Sequence, residues 1–184
     1  MTRCSIITLA LAVCGCGADP ISFSAPVSIN VKAKSGDVSG TTISDEKAIT
    51  SENANPYGAF VADATRQLGR APGAVEIDSL ALALGGGSNG VVTLDQVFTG
   101  DVDTAFIVND TNNTYDVGHV VNPTGVGPVE LSINFESGGV AGQDYDKYLG
   151  GSFKVVIRGT AATDFATKGA EAELQLTFTF AAFE

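Results

Sequence analysis

Oxygen-bearing side chains recur at every second position of the segment 110–116. The four are Asp110, Asn112, Thr114 and Asp116. Calcium takes six to eight oxygen ligands, and calcium loops supply them at such alternate positions. The segment therefore predicts a calcium site, to which Asp101, Asp103 or Asp144 would add carboxylates. The competing interpretation is a turn rich in Asp and Asn, whose side chains bond to the nearby backbone.

His119 is the only histidine in the chain. Period-two alternation places it in a predicted strand over 115–121, on the same side as Tyr115, Val117 and Val121. A serine hydrolase would need this histidine together with a nucleophile and an acid, but the sequence has no Gly-x-Ser-x-Gly turn. We therefore predict a structural role for His119 and assign no catalytic residue.

Acidic residues also occur in pairs that are separated by one position. The pairs are Asp101 with Asp103, Asp144 with Asp146, and Glu171 with Glu173. A glycosidase needs two carboxyl groups across a sugar cleft, but residues two apart on a strand share one face. In a chain this acidic, such pairs are typical of a solvated surface.

The formal net charge of the chain is −11. Negative charge of this size repels phosphate backbones, so the composition argues against a nucleic-acid partner. No cofactor is predicted apart from calcium at the 110–116 loop. A nucleotide site at the glycine-rich stretch 85–90 is not expected, because the Gly-Lys-Ser/Thr ending of a phosphate loop is missing there.

Alternation of apolar and polar residues runs through most of the chain and sets the fold class. The candidate strands are 22–32, 75–84, 102–108, 115–121, 129–135, 153–158 and 172–180, and the turn-rich stretches are 85–90, 109–113, 122–125 and 138–146. Strands at this spacing with no helices between them predict antiparallel pairing. We expect a mainly β protein, an antiparallel β-sandwich of the immunoglobulin-like or jelly-roll-like kind.

One short helix is predicted over 56–68. Asn55 suits its cap, Pro56 suits its first position, and Gly69 suits its end. We expect this helix to cover one end or flank of a sheet. The polar segment 35–54 before it is predicted to be a loop or a weak strand. Pro26 marks the first strand as an edge strand, because proline cannot donate to a ladder.

The first sixteen residues carry an export pattern. A short positive start at Met1 to Arg3 precedes the apolar run Ile6 to Val13, which is shorter than the ~20 residues that span a bilayer. The next residues, Val13-Cys14-Gly15-Cys16, resemble the lipobox of bacterial lipoprotein precursors: aliphatic at minus three, small at minus one, then cysteine. The resemblance implies cleavage before Cys16 and a lipid on its sulfur.

Two alternatives to that lipid site stay open. Cys14 is a rival, but it would place branched Val13 where the family takes a small residue. A plain secretory signal peptide is the other. Because Cys4, Cys14 and Cys16 are the only cysteines, the chain after the cut would hold no thiol and no disulfide. In some bacterial lipoproteins an aspartate directly after the lipidated cysteine acts as an inner-membrane retention signal. This chain has Gly17 at that position, so we expect the outer membrane as its destination.

The sequence thus predicts a signal peptide over 1–15, a lipidated tether over 16–21 and one β-sandwich domain over 22–184. The expected function is that of a non-catalytic, lipid-anchored envelope protein that binds an envelope or extracellular protein or glycan. Two other functions stay open. One is a carrier of a small apolar ligand in a β-cup closed by the helix, and the other is a carboxylate-based hydrolase.

Overall fold

The computed structural model describes residues 21–52 and 54–184, and the leader and Cys16 lie outside these residues. Eleven helices and strands follow one another in the described part. They are β1 Ser22–Lys34, β2 Thr42–Ile49, α1 Pro56–Leu68, β3 Ala74–Leu84, β4 Phe98–Val108, β5 Thr114–Val121, β6 Val129–Glu130, β7 Ser132–Ile133, α2 Gly142–Leu149, β8 Phe153–Ala161 and β9 Glu171–Phe183. In this part of the chain, no helix is both long and apolar enough to cross a bilayer.

The strands form two antiparallel sheets around one apolar core. The first sheet has the order β1-β9-β3-β6 and the second the order β2-β8-β4-β5-β7. Consecutive strands mostly lie in opposite sheets, which is the Greek-key wiring of a jelly roll. The predicted antiparallel sandwich is confirmed, and of the two kinds considered the strand order is that of the jelly roll.

Strand β1 forms the edge of the first sheet, as Pro26 predicted. It pairs with β9 without interruption from Ser22 opposite Phe183 to Lys34 opposite Glu171. Alternate side chains of both strands point into the core, where they are buried. This ladder is the longest in the molecule and holds the first strand to the last.

The segment 35–54 contains a complete strand where the sequence predicted a loop or a weak strand. All eight residues of β2 pair with β8, from Thr42 opposite Thr160 to Ile49 opposite Phe153. Only Ile43 and Ile49 of this edge strand are buried. The apolar alternation that identifies a strand in sequence is therefore almost absent.

Helix α1 has the predicted bounds and caps. The Asn55 side chain accepts a hydrogen bond from the backbone N–H of Tyr57 at 3.1 Å, and Gly69 ends the helix with a φ of 75°. The Tyr57 ring lies edge-on to Phe153 of β8 and to Phe180 of β9, with centroids 5.2 Å away in each case. The helix thus covers one end of the sandwich and ties both sheets together there.

A second helix, α2, was missed, because 138–146 was predicted to be turn-rich. Gly142 and two aspartates give it a low helix propensity, so tertiary contacts must hold it. Its buried Tyr148 packs between Tyr57 and Phe106, at centroid distances of 6.0 and 5.5 Å. Helices α1 and α2 lie at the end where β1 begins, which we call the closed end.

Candidate functional site

His119 faces outward, whereas the alternation predicted the side of Tyr115 and Val117. The reason is a β-bulge: Ala105 of β4 pairs with Asp116, but the next residue, Thr104, pairs with Gly118. Val117 is the extra residue, and beyond it the inward and outward positions of β5 exchange. The prediction that His119 shares a face of β5 with Tyr115 and Val117 was therefore wrong.

On the outer face of the second sheet, His119 lies between two carboxylates. Its Nδ1 donates to Asp103 Oδ1 at 2.7 Å, and its Nε2 is 4.0 Å from Asp101 Oδ1. Asp103 is the cross-strand partner of His119, so the sheet register creates this contact. Ser132 of β7 pairs with His119 from the other side. Among the described residues, however, no hydroxyl is hydrogen-bonded to the imidazole, as a serine nucleophile would be.

A groove of about 520 Å³ opens on the same face, and we call it the outer groove. Its floor is formed by three half-buried apolar residues of the central strands, Ala105, Ile107 and Val156. Polar and charged side chains border this floor. They are Ser44, Asp103, Thr114, Asp116, His119, Asn134 and Arg158. An apolar floor with converging polar groups is the usual composition of a ligand site.

Two of the four charged or titratable side chains in the outer groove have no ion partner in the described part of the chain. Asp103 is committed to His119. Arg158 and Asp116 form no ion pair there, although Arg158 lies directly across the ladder from Asp103. Both side chains are exposed. Within the described residues, the groove therefore offers one cation and one anion that have no ion partner.

In the segment 110–116, the side chains that converge on one point are not the four that were predicted to bind calcium. Its odd-numbered side chains converge on the buried carboxylate of Asp144 in α2. Thr111 Oγ1 donates to it at 2.9 Å, Asn113 Nδ2 at 2.7 Å and the Tyr115 hydroxyl at 2.8 Å. These hydrogen bonds lower the pKa of Asp144 below the usual aspartate range, and the bond from Asn113 contributes most. The Tyr115 hydroxyl, which donates to Asp144, has a raised pKa.

The four predicted calcium ligands are all exposed. Asp110 forms an ion pair with Lys147 at 2.8 Å, and Asp116 borders the outer groove. Within the described residues, no group of three or more His, Cys, Asp or Glu is placed to hold a metal ion. Asp110 and Asp116 are thus engaged in different surroundings, and calcium binding by Asp110, Asn112, Thr114 and Asp116 stays a prediction.

The other acidic pairs do not share a cleft. Asp144 is buried but Asp146 is exposed, because residues two apart on a helix point in different directions. Glu171 bonds Lys32 on the outer face of the first sheet, and this contact lowers the pKa of Glu171. Glu173 accepts a hydrogen bond from Asn30 at 3.0 Å. The prediction of surface charge therefore holds for Glu171 and Glu173 but was wrong for Asp144, which is buried.

The outer groove could not have been assembled from the sequence. Ala105, Asp116 and Arg158 come from β4, β5 and β8, and only the sheet order makes these strands neighbours. Asp144 was named as a member of an acidic pair and as a possible extra calcium ligand, but its three hydrogen-bond donors lie about thirty residues earlier in the chain and were not connected with it. One signal could have revealed α2: the apolar Tyr145, Tyr148 and Leu149 have helical spacing.

Comparison with known proteins identifies no family for this chain. No family model matches it, and no curated protein matches it either. Among solved structures, the chain is similar to one in the structure of Cocksfoot mottle virus. The identity is 9% and the TM-score 0.35, over 100% of this chain and 94% of the viral one.

Proposed function

We propose that this chain is a non-catalytic lipoprotein of the bacterial envelope, anchored through Cys16, which binds an envelope or extracellular component in the outer groove. The observation that carries the binding half is the groove itself, with its apolar floor and its free Arg158 and Asp116. The lipobox-like residues Val13 to Cys16 support the anchor. The proposed destination is the outer membrane.

The placement of β1 fits an anchor at Cys16. Only 17–21 separate this cysteine from β1, and an extended chain gains at most ~3.5 Å per residue. The closed end, where β1 begins, would therefore lie within about 20 Å of the lipid surface. The outer groove lies on the outer face of the second sheet and not at the closed end, so the proposed tether would not attach at the groove.

The anchor is tested by the intact mass of the membrane-extracted protein. We expect residues 16–184 plus a diacylglyceryl group, with or without an amide-linked acyl chain. Cys16→Ser should abolish this modification. Cys14→Ser is the matched control, because it removes the rival cysteine. Since Cys14 would leave with the signal peptide, we expect the mass of the mature lipidated protein to be unchanged, and only the uncleaved precursor to carry the exchange of sulfur for oxygen. Lipid that persists in Cys16→Ser would contradict the assignment.

The binding half is tested by filling the groove without disturbing the core. Ala105→Leu adds an apolar side chain to the floor on the outer face. We expect it to abolish binding of groove ligands while the circular dichroism spectrum stays that of the parent protein. Ligand binding that survives Ala105→Leu unchanged would exclude the outer groove as the binding site.

The two other functions have less support from the geometry. A carrier needs a sizeable apolar cavity, but the inner faces of the described sheets are packed with large side chains such as Phe106, Phe153 and Phe178. A carboxylate hydrolase needs two acids in one cleft with pKa values moved apart. The paired acids of β4, Asp101 and Asp103, instead lie on an exposed sheet face around His119.

A further inference from the structure

We propose that the outer groove recognises the terminal charges of a short zwitterionic peptide, with its ammonium on Asp116 and its carboxylate on Arg158. This inference rests on the proposed binding role of the groove and names the ligand class. The two side chains are the free anion and the free cation of the groove among the described residues. A charged ligand group that binds Arg158 or Asp116 therefore displaces no ion partner within the described residues.

Ala105 makes room for such a ligand. On the outer face its neighbours are Val156 on one side and Asp116 on the other, with Asp103 and Ile107 before and after it on β4. A methyl group among larger side chains leaves a depression. The floor of this depression is aliphatic and would contact the peptide's own backbone and side chains.

The register fixes the spacing of the two Cα atoms from which the charged side chains extend. Arg158 and Asp116 are separated by two strand intervals across the sheet and by two residues along it. Their Cα atoms are therefore about 12 Å apart, from strand spacings of ~4.8 Å and a rise of ~3.4 Å per residue. An extended tripeptide places its terminal charges about 10 Å apart. Three residues therefore match the diagonal of the groove.

The chemistry of the two ends suits their partners. The Arg158 guanidinium can bind a carboxylate with two parallel hydrogen bonds, and Asp116 can accept from an ammonium. A neutral sugar would cover both charges without neutralising either, which costs free energy. The residues that line the groove also include no Phe, Tyr or Trp side chain, the rings on which sugars usually stack. The arrangement therefore favours a dipolar ligand over a neutral glycan.

The experiment is a calorimetric titration of the detergent-purified mature protein with trialanine and with trialanine blocked as the N-acetyl amide. We expect trialanine to bind and the blocked peptide to bind at least about tenfold more weakly, since each end loses a charge-assisted hydrogen bond. Arg158→Gln and Asp116→Asn should each weaken trialanine binding by about tenfold or more. Ala105→Leu should abolish it.

Lys154→Gln is the matched control. Lys154 is a charged residue on the same sheet face, but it is paired with Glu46 and is not part of the groove lining. We expect this variant to bind trialanine like the parent protein. Equal binding of the free and blocked peptides, or no binding of trialanine by the folded parent protein, would overturn the proposal.

A second titration separates this failure from failure of the proposed function. If N-acetylglucosamine binds, trialanine does not, and Ala105→Leu abolishes the sugar binding, the groove is a binding site but for a glycan. That result overturns the zwitterion proposal alone. The mass measurement of the anchor stays independent of both titrations.

Discussion

The closed end and the outer groove both contain carboxylates, but the fold uses them in opposite ways. At the closed end the Asp144 carboxylate is buried and receives three side-chain hydrogen bonds. In the outer groove Asp116 is exposed and forms no ion pair in the described part of the chain. The first carboxylate stabilises the structure, and the second is available to a ligand. Acidity alone therefore does not distinguish a structural carboxylate from a solvent-exposed one; the number of hydrogen-bond and ion partners within the described residues does.

Asp144→Ala should have the largest effect of any substitution that tests this comparison. It removes the common acceptor of Thr111, Asn113 and Tyr115, so partly buried donors lose their partner. We expect the Tm to fall by about 5 °C or more. Differential scanning calorimetry measures it. A Tm equal to that of the parent protein would mean that Asp144 is as dispensable as a surface acid.

Gly58→Ala should have the next largest effect on the Tm. Helix propensity alone predicts a higher Tm for this variant, but we expect a lower one. Alanine favours a helix over glycine by about 1 kcal/mol. At Gly58, however, a Cβ would overlap the backbone carbonyl oxygen of Glu52. We expect a Tm lower by about 3 °C or more. Gly142→Ala in α2 is the control, because a Cβ there meets nothing within 4 Å, and its Tm should be unchanged or higher. A raised Tm for Gly58→Ala would contradict the tight closure of this end.

The pH dependence of stability gives a third, smaller test. The pKa of Asp144 is lowered by folding from its ordinary value of 3.8. Its contribution is therefore complete above that value and is lost as the pH falls through the lower folded pKa. The Tm difference between the parent protein and Asp144→Asn should be constant near neutral pH and shrink below about pH 4. A difference that grows on acidification would reverse the assignment.

Substitutions in the outer groove should have the smallest effect on stability. Arg158→Gln and Asp116→Asn change exposed side chains without ion partners in the described residues, so each Tm should move by less than about 2 °C. Thermal melts that run beside those of Asp144→Ala test this directly. A loss comparable to that of Asp144→Ala would show that the groove charges serve the fold after all.

The sequence predicted those parts of the fold that have a local cause. Helix α1 follows from Asn55, Pro56 and Gly69, and the inner faces of β1 and β9 follow from strict alternation. Strand β2 and helix α2 were not predicted, because neighbouring elements rather than local propensity hold them; for α2, the helical spacing of Tyr145, Tyr148 and Leu149 was the one local signal. Both have few apolar residues, and both are fixed by partners distant in sequence.

The candidate site was predicted less well, for a related reason. Val117 is the extra residue of a β-bulge, and after it the side chains of β5 that face outward are the opposite ones. No sequence pattern indicates this bulge. His119 was therefore assigned to the wrong face. The segment 110–116 was singled out for its even-numbered side chains, whereas its odd-numbered side chains donate to Asp144, which lies in a helix that was not predicted.

The pairing of β1 with β9 governs when the molecule can finish folding. Ser22 meets Phe183 across this ladder, so β1, the first of the described strands, cannot complete this pairing until β9 has been synthesised. Pairings of such high sequence separation form slowly, because a long loop must close first. The growing chain therefore cannot lock its amino-terminal strand in place during synthesis.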